Sequence, residues 1–119
     1  MNIRFDQKVV IVTGSSSGIG KSAAIEFARA GARVTVHYNS NKTGAEEVVQ
    51  EITDLGGEAI TVGGDLTEEA NVNQLVEQTL TNFGAIDVLV NNAGTLVERK
   101  NIADMSKAVS YTHLRAHET

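Results

Sequence analysis

The sequence has no cysteine, no basic cluster and no long apolar run, and each absence narrows the range of functions. Without cysteine, disulfide bonds and thiolate metal sites are excluded. The net charge of −5 argues against nucleic acid as a main partner. No run approaches the roughly 18 apolar residues of a membrane helix, and the N-terminus holds no apolar signal core. We therefore expect a cytoplasmic protein that binds neither nucleic acid nor a membrane.

The 119 residues amount to one domain, and apolar runs alternate in them with amphipathic stretches. β-Branched runs predict buried strands, and apolar residues spaced three and four apart predict helices. A capping box at Thr43 and Glu46 would begin the second helix, and Thr67 would cap the third. The alternation predicts parallel strands joined by helices, a doubly wound α/β sheet. The predicted strands are 8–13, 33–38, 59–62 and 86–90, and the predicted helices are 22–30, 43–55 and 68–83.

Three glycines follow the first strand, at positions 14, 18 and 20, and a helix follows them. Glycine permits unusual backbone angles and lets a phosphate approach the chain closely. The helix start adds unpaired N–H groups and the positive end of the helix dipole. The hydroxyls of Ser15, Ser16 and Ser17 are further candidate donors to phosphate or ribose. The segment therefore indicates an anion site rather than an ordinary turn.

Polar residues follow three of the predicted strands, at the edge where a doubly wound sheet binds its ligand. That edge lies at the carboxyl ends of the strands, where the strand order reverses. Segment 14–20 follows the first strand, residues 65–66 lie after the third, and residues 91–94 follow the fourth. Separately, Asp65 could cap a helix and the asparagine pair could form an Asx turn. Together they favour one nucleotide cleft.

A P-loop is the main alternative from another class of nucleotide-binding site. Residues 15–22, Ser-Ser-Ser-Gly-Ile-Gly-Lys-Ser, nearly match its pattern G-x-x-x-x-G-K-[ST]. The pattern needs glycine where Ser15 stands, and Gly14 comes one residue too early. A loop longer by one residue would not wrap the same phosphates and aim Lys21 at them. A P-loop nucleotidase is therefore disfavoured.

These motifs resemble, in order and spacing, those of the short-chain dehydrogenase/reductase family. The resemblance covers residues 8 to about 108 and rests on Thr13-Gly14-x-x-x-Gly18-Ile19-Gly20, Asp65-Leu66 and Asn91-Asn92-Ala93-Gly94. It implies a Rossmann-type doubly wound parallel sheet of order 3-2-1-4, truncated after about four strands, with the fourth strand at the edge. It also implies an NAD(P)(H)-dependent oxidoreductase that acts on a small carbonyl or alcohol substrate. Members of the family are usually homodimers or homotetramers.

The resemblance implies a nicotinamide dinucleotide bound at the three strand ends. Segment 14–20 would wrap the pyrophosphate and the adenosine ribose, and residues 65–66 would contact adenine. Residues 92–94 would line the path from adenosine to nicotinamide. No catalytic and no metal-binding residue is predicted. The predicted cofactor-binding residues are Gly14, Ser15, Ser16, Ser17, Gly18, Ile19, Gly20, Asn39, Asp65, Leu66, Asn92, Ala93 and Gly94.

The end of the second strand predicts a modest preference for NADP(H) over NAD(H). NAD-selective relatives usually place an acidic residue there, which binds the ribose 2′-hydroxyl. Tyr38 and Asn39 occupy that place here, with Lys42 close behind. Nothing among them repels a 2′-phosphate, and Lys42 would attract one. The basic residue that usually precedes the second glycine is missing, because Ser17 stands there.

The catalytic residues of the family belong to the second half of its fold, and we expect this chain to lack them, since Tyr38 sits on the second predicted strand. They are a serine and a Tyr-x-x-x-Lys pair, in which lysine and cofactor lower the pKa of the tyrosine. Tyr111-Thr-His-Leu-Arg115 imitates the pair, but arginine does not deprotonate and so makes a poor proton relay. We therefore expect an inactive fragment of a longer enzyme. A naturally short, non-catalytic nucleotide-binding module is the alternative.

The apolar pattern fades in residues 109–119, Val-Ser-Tyr-Thr-His-Leu-Arg-Ala-His-Glu-Thr. This peptide resembles one translated frame of a sequencing adapter. We expect residues 1–108 to be the N-terminal part of a single NAD(P)-binding Rossmann domain. Residues 109–119 are expected to be a foreign tail with no partner to pack on, and a divergent terminal helix is the alternative.

Overall fold

The structure is a computed structural model that describes residues 4–93 and the backbone of residues 110–112. Strands and helices alternate along it, as the hydrophobic pattern predicts. In chain order they are β1 (Val9–Val12), α1 (Gly18–Arg29), β2 (Arg33–Tyr38), α2 (Lys42–Asp54), β3 (Glu58–Gly63), α3 (Glu69–Phe83), β4 (Val88–Val90) and β5 (Ser110–Thr112).

The strands form one parallel sheet in the order β3-β2-β1-β4-β5. The predicted order 3-2-1-4 is confirmed. β1 lies in the middle, and all four of its residues are buried. Its register against β2 places Val12 opposite Val36, so the residues that follow β1 meet the end of β2. This register determines which side chains line the carboxyl edge of the sheet.

Helices cover both faces of the sheet, which explains why β1 reads as a continuous apolar run. On one face, Val10 and Val12 of β1 pack with buried residues of α1 and α2. On the other face, Ile11 packs with buried residues of α3, among them Leu75 and Val76. The alternation of side chains along β1 thus supplies a separate apolar core to each layer.

The helix boundaries differ from the prediction where capping decides them. α1 begins at Gly18, inside the glycine segment and four residues before the predicted start. α2 is capped by Asn41, whose side-chain oxygen accepts the Gly44 N–H at 3.0 Å, so the capping box predicted at Thr43 is wrong. α3 has Glu68 at its N-cap position with no side-chain cap, so the prediction for Thr67 is also wrong.

The fifth strand corrects two expectations. Ser110–Thr112 pairs in parallel with β4, residue for residue against Val88–Val90. β4 is therefore not the edge of the sheet, and the expectation that residues 109–119 have no partner fails for these three. A run of Ser-Tyr-Thr carries no apolar pattern, and its strand conformation comes from pairing with β4. Whether residues 109–119 are foreign to the domain is a separate matter and stays a prediction.

Two buried threonines join the sheet to α3, and removing one hydroxyl is expected to cost more than removing both. Thr79 donates its hydroxyl hydrogen to the Leu75 carbonyl at 2.8 Å, so Thr35 donates to the Thr79 oxygen at 2.9 Å. Thr79→Val would leave the Thr35 hydroxyl buried without an acceptor and lower the free energy of unfolding by about 1–3 kcal/mol. Urea unfolding of the two single variants and the double variant measures the coupling. A double variant that loses the sum of the single losses would contradict this account.

Candidate cofactor-binding site

The three glycines after β1 serve three different purposes. Gly14 has φ 60°, and a Cβ there would lie 3.3 Å from Asn92 Nδ2 and 3.4 Å from Ala93 Cβ. Gly18 has φ 61° and faces open space, with no atom within 4 Å of where its Cβ would be. Gly20 is buried, and a Cβ there would collide with the Gly14 carbonyl oxygen. Gly14 and Gly20 allow α1 to pack close to the end of the sheet. Gly18 leaves open space through which a ligand can approach the segment from solvent.

The N-terminus of α1, next to this open space, has backbone N–H groups that no side chain caps. The first N–H to bond back into the turn is that of Lys21, to the Ser17 carbonyl at 3.2 Å, so the preceding N–H groups of the helix have no helical acceptor. The Ser17 side chain makes no capping bond, and the first turn holds no acidic residue. Ile19, in the same turn, is 49% exposed. The arrangement offers N–H donors, a hydroxyl and a positive dipole end to an anion.

Ser15 differs from its two neighbours, which corrects the expectation of three available hydroxyls. It is fully buried, and its hydroxyl donates to the Val12 carbonyl at 2.7 Å. The same oxygen accepts the backbone N–H of His37 at 3.1 Å. The Ser15 hydroxyl therefore joins β1 to β2 and does not face the cleft. Ser16 is half-buried and Ser17 is exposed.

The end of β4 is bonded directly to the glycine segment. Asn92 donates from Nδ2 to the Gly14 carbonyl at 3.0 Å. Thr13, buried at the end of β1, accepts the Ala93 N–H on its hydroxyl oxygen at 3.1 Å. Asn91 Oδ1 lies 3.1 Å from the same hydroxyl. Two of the three predicted strand ends thus form one connected group, while Gly94 lies outside the described residues.

The third strand end, residues 65–66, presents one polar and one apolar side chain. Asp65 is exposed, and its Oδ1 accepts the Thr67 N–H at 2.9 Å and the Thr67 hydroxyl at 2.8 Å. Both bonds lower the pKa of the Asp65 carboxyl below its usual range, and the bond from the Thr67 N–H has the larger effect. Leu66 is only 3% exposed and packs in the core beneath α3. The expected adenine contact therefore does not come from the Leu66 side chain, because that side chain points inward.

A buried histidine, for which the sequence predicts no role, links the glycine segment after β1 to the segment after β3. His37, at 2% exposure, accepts the Gly14 N–H on Nδ1 at 2.9 Å. Its Nε2 lies 2.8 Å from the Gly64 carbonyl oxygen. Burial lowers the pKa of His37 below its ordinary value of 6.5, and the bond to Gly64 opposes this. A polar residue within a strand buried on both faces needs such partners, which is the signal that could have identified it.

The lowered pKa of His37 predicts that the protein loses stability as the pH falls below about 6.5. The unfolded chain protonates this histidine near pH 6.5, whereas the folded chain does so only at lower pH. In that interval the unfolded state binds more protons, so the free energy of unfolding falls by up to about 1.4 kcal/mol per pH unit. Above pH 6.5 both states are neutral here and the contribution is constant. Urea unfolding between pH 5 and 8 measures this, and a His37→Gln variant with the same slope would refute it.

The loop after β2 lies beside the glycine segment. Asn39 is exposed at the start of this loop, and Lys42 begins α2. A Cβ placed on Gly44, in the first turn of α2, would lie 2.8 Å from the Ser16 carbonyl oxygen. The first turn of α2 contains no acidic residue. A second helix start, with a lysine at its first position, therefore adjoins the first one.

Lys21 does not take the position that a P-loop requires. Its Nζ lies 3.5 Å from Oε2 of Glu51, so the side chain pairs with α2. A P-loop lysine must reach the phosphates held by its own loop. The P-loop interpretation is therefore not favoured by the structure.

Within residues 4–93 no group of three His, Asp or Glu side chains could hold a metal ion. None of the helices α1 to α3 is both long enough and apolar enough to cross a membrane.

One known protein family matches most of the chain. The model of the short-chain dehydrogenase family matches residues 8–114. The chain belongs to the short-chain dehydrogenase family. The resemblance drawn from the glycine and asparagine motifs is thereby confirmed. The match includes β5 and extends into the expected foreign tail as far as residue 114.

Individual relatives in this family match about three quarters of the chain. A hydroxynaphthalene reductase-like protein of Metarhizium guizhouense is 44% identical over 90 residues, which are 76% of this chain and 34% of that protein. A hydroxysteroid dehydrogenase from Escherichia coli has a structure with a TM-score of 0.73 and 44% identity over 76% of this chain and 38% of that one. A 7α-hydroxysteroid dehydrogenase complexed with NADH and 7-oxo glycochenodeoxycholic acid has the same TM-score and identity, covering 76% and 35%. The chain thus spans about a third of the length of its curated relatives.

Proposed function

We propose that this chain carries the dinucleotide-binding part of an NAD(P)(H)-dependent oxidoreductase that reduces a small carbonyl compound or oxidises an alcohol. One observation carries the proposal: the open start of α1 and the end of β4 meet at Gly14, where Asn92 bonds its carbonyl. The related 7α-hydroxysteroid dehydrogenase is complexed with NADH, which supports a nicotinamide dinucleotide as the ligand. When bound, the nicotinamide supplies or accepts the hydride.

The residues of this chain bind and orient the cofactor. The N–H groups at the start of α1, with the hydroxyls of Ser16 and Ser17, would hold the pyrophosphate. Ile19 would cover it with an apolar side chain. Asp65 would contact adenine, and the exposed Ala93 would face the path toward the nicotinamide. Tyr38 and Lys42 have the Tyr-x-x-x-Lys spacing, but they lie at the end of β2 and the start of α2, whereas the family's catalytic residues belong to the second half of its fold. The 119-residue chain is therefore proposed to be inactive by itself.

We also propose a modest preference for NADP(H) over NAD(H). The end of β2 carries no carboxylate that would bind a ribose 2′-hydroxyl or repel a 2′-phosphate. Lys42 and the start of α2 add positive charge beside Ser16. Assembly of the full-length protein into a dimer or tetramer in the cytoplasm belongs to the same proposal and rests on the family.

Titration of the ¹⁵N-labelled chain with NADPH tests the function without requiring catalysis. We expect amide shifts at Gly14, Gly18 and Gly20, with smaller changes on α3 away from the cleft. NADH in a parallel titration should bind more weakly, and ATP with Mg²⁺ should bind more weakly still. The absence of amide shifts at millimolar NADPH and NADH would refute the proposal. Tighter binding of ATP with Mg²⁺ would favour a nucleotidase, and tighter binding of NADH would refute the cofactor preference alone.

A further inference from the structure

One buried imidazole ring joins the phosphate side of the candidate site to its adenine side. Nδ1 of His37 is bonded to the N–H of Gly14, which opens the glycine segment. Nε2 is bonded to the carbonyl of Gly64, which immediately precedes Asp65. Gly14 and Gly64 both have positive φ, 60° and 141°, so the ring joins two conformations that few other residues adopt. A change at the ring is therefore transmitted to both segments.

The two partners determine which nitrogen carries the proton. A backbone N–H can only donate, so Nδ1 must present its lone pair to Gly14. A carbonyl can only accept, so Nε2 must carry the hydrogen that it donates to Gly64. This arrangement requires the neutral ring in one tautomer. A protonated ring would direct a second N–H at the Gly14 N–H, and the bond would be lost.

We propose that His37 is a positioning residue of the cofactor site, holding the phosphate-binding and adenine-side segments in the arrangement that binds the dinucleotide only while its ring is neutral. The inference rests on the proposed dinucleotide function. Protonation opens the link between Gly14 and Gly64, so affinity for the cofactor falls as the pH falls. By linkage, binding of the cofactor lowers the affinity of His37 for a proton by the same factor.

The charged groups near His37 do not provide a competing explanation. Its hydrogen-bond partners Gly14, Ser15 and Gly64 do not titrate. The helices α1, α2 and α3 all pack beside β2, and Lys21 of α1 pairs with Glu51 of α2. The other charged groups of these helices are exposed: Glu26 and Arg29 on α1, Lys42, Glu46, Glu47 and Asp54 on α2, and Glu69 and Glu77 on α3. Lys8 before β1, Glu58 on β3 and Asp65, which is bonded to Thr67, are exposed as well. Arg33 is half-buried and lies at the opposite end of β2 from His37.

The backbone of His37 would keep its own bonds if the ring were replaced. Its carbonyl accepts the Ser15 N–H at 2.9 Å, and its N–H donates to the Ser15 hydroxyl. Strand pairing of β2 with β1 and β3 is likewise independent of the side chain. The contribution of the ring is therefore separable from that of the strand, which makes variants informative.

The test follows the His37 ring by NMR in the full 119-residue chain, with and without NAD⁺. NAD⁺ is the probe because its pyrophosphate does not titrate between pH 5 and 8, whereas a 2′-phosphate would, near pH 6. We expect the ¹⁵N signals of a neutral ring with hydrogen on Nε2. Saturating NAD⁺ should lower the pKa of His37, and the NAD⁺ dissociation constant should rise at least threefold between pH 7.5 and 5.5.

Two variants separate positioning from simple packing. Gln in place of His37 keeps an acceptor and a donor but does not titrate. His37→Gln should bind NAD⁺ within about threefold of the natural chain at pH 7.5, and its dissociation constant should not show the threefold rise between pH 7.5 and 5.5. His37→Leu fills the space without either bond and should bind at least about tenfold more weakly. If the leucine variant does not fold, the pH profile of the glutamine variant decides.

Failure of the inference is distinguishable from failure of the proposed function. If the amides of Gly14, Gly18 and Gly20 shift with NAD⁺ but the pKa of His37 does not, the inference is refuted and the dinucleotide site stands. A glutamine variant that keeps the pH dependence of the natural chain likewise refutes the inference alone. If neither NAD⁺ nor NADPH shifts those amides at pH 7.5, the proposed function is refuted, and the inference with it.

Discussion

A methyl group added at Gly20 is expected to lower the free energy of unfolding by about 1–3 kcal/mol, although alanine is the best helix-forming residue. Helix propensity alone would make Gly20→Ala stabilising by about 1 kcal/mol, because Gly20 lies within α1 and its φ is not positive. The new Cβ, however, would collide with the Gly14 carbonyl and lie 2.6 Å from Asn92 Nδ2 and 2.9 Å from Ser15 Cα. Two of these neighbours are backbone, so α1 itself must move away.

The displacement of α1 should also weaken cofactor binding, because the open N–H groups belong to its first turn. We expect NADPH to bind about tenfold more weakly to the variant in the same amide-shift titration, a loss of about 1.4 kcal/mol. Gly18→Ala is the matched control, with the same change two residues earlier. It meets no neighbour, and only its φ of 61° opposes alanine, at about 1 kcal/mol. Urea unfolding of both variants decides, and a Gly20→Ala protein as stable as the natural chain would refute the close packing.

The sequence predicted the layered fold because burial leaves a pattern that can be read without coordinates. β1 must be apolar at every position since helices cover both faces of the sheet, and it is. The predicted bounds of the second strand, 33–38, match β2, and Gly84 ends α3 with φ 80° as a helix-stopping glycine does. Such features depend on residues close together in the chain, so the sequence of each strand or helix is enough to predict them.

The site was less predictable because its bonds depend on the register of neighbouring strands. Pairing of Val12 with Val36 is what brings His37 opposite Gly14 and Ser15. No local pattern distinguishes the buried Ser15 from the exposed Ser17, since the difference arises where the chain turns out of the sheet. The N-cap of α2 is ambiguous in the same way, because Asn41 and Thr43 are both residue types that cap helices. Only the geometry of the turn selects Asn41.

The loop after β2 gives the second prediction with a large effect: Asn39→Asp should weaken NADPH binding about tenfold or more and leave NADH binding equal or better. Asn39 is exposed and Asp has nearly the same shape, so the change adds a charge with little change in packing. A carboxylate beside a 2′-phosphate is repelled by it, whereas a ribose 2′-hydroxyl can donate a hydrogen bond to the same carboxylate. The preference between the two cofactors should therefore reverse.

The control must match the change in net charge, because any added negative charge weakens the binding of an anion to some degree. Asn82→Asp is this control, because it adds the same charge at another exposed asparagine. Asn82 lies near the C-terminal end of α3, whereas Asn39 follows the carboxyl end of β2. Its effect on NADPH should be small and should vanish in 0.5 M salt, where screening acts over about 4 Å. Equal losses for the two variants would show that Asn39 is remote from the 2′-phosphate. A loss for Asn39→Asp that persists in salt, with NADH unaffected, places the 2′-position of the ribose at the end of β2.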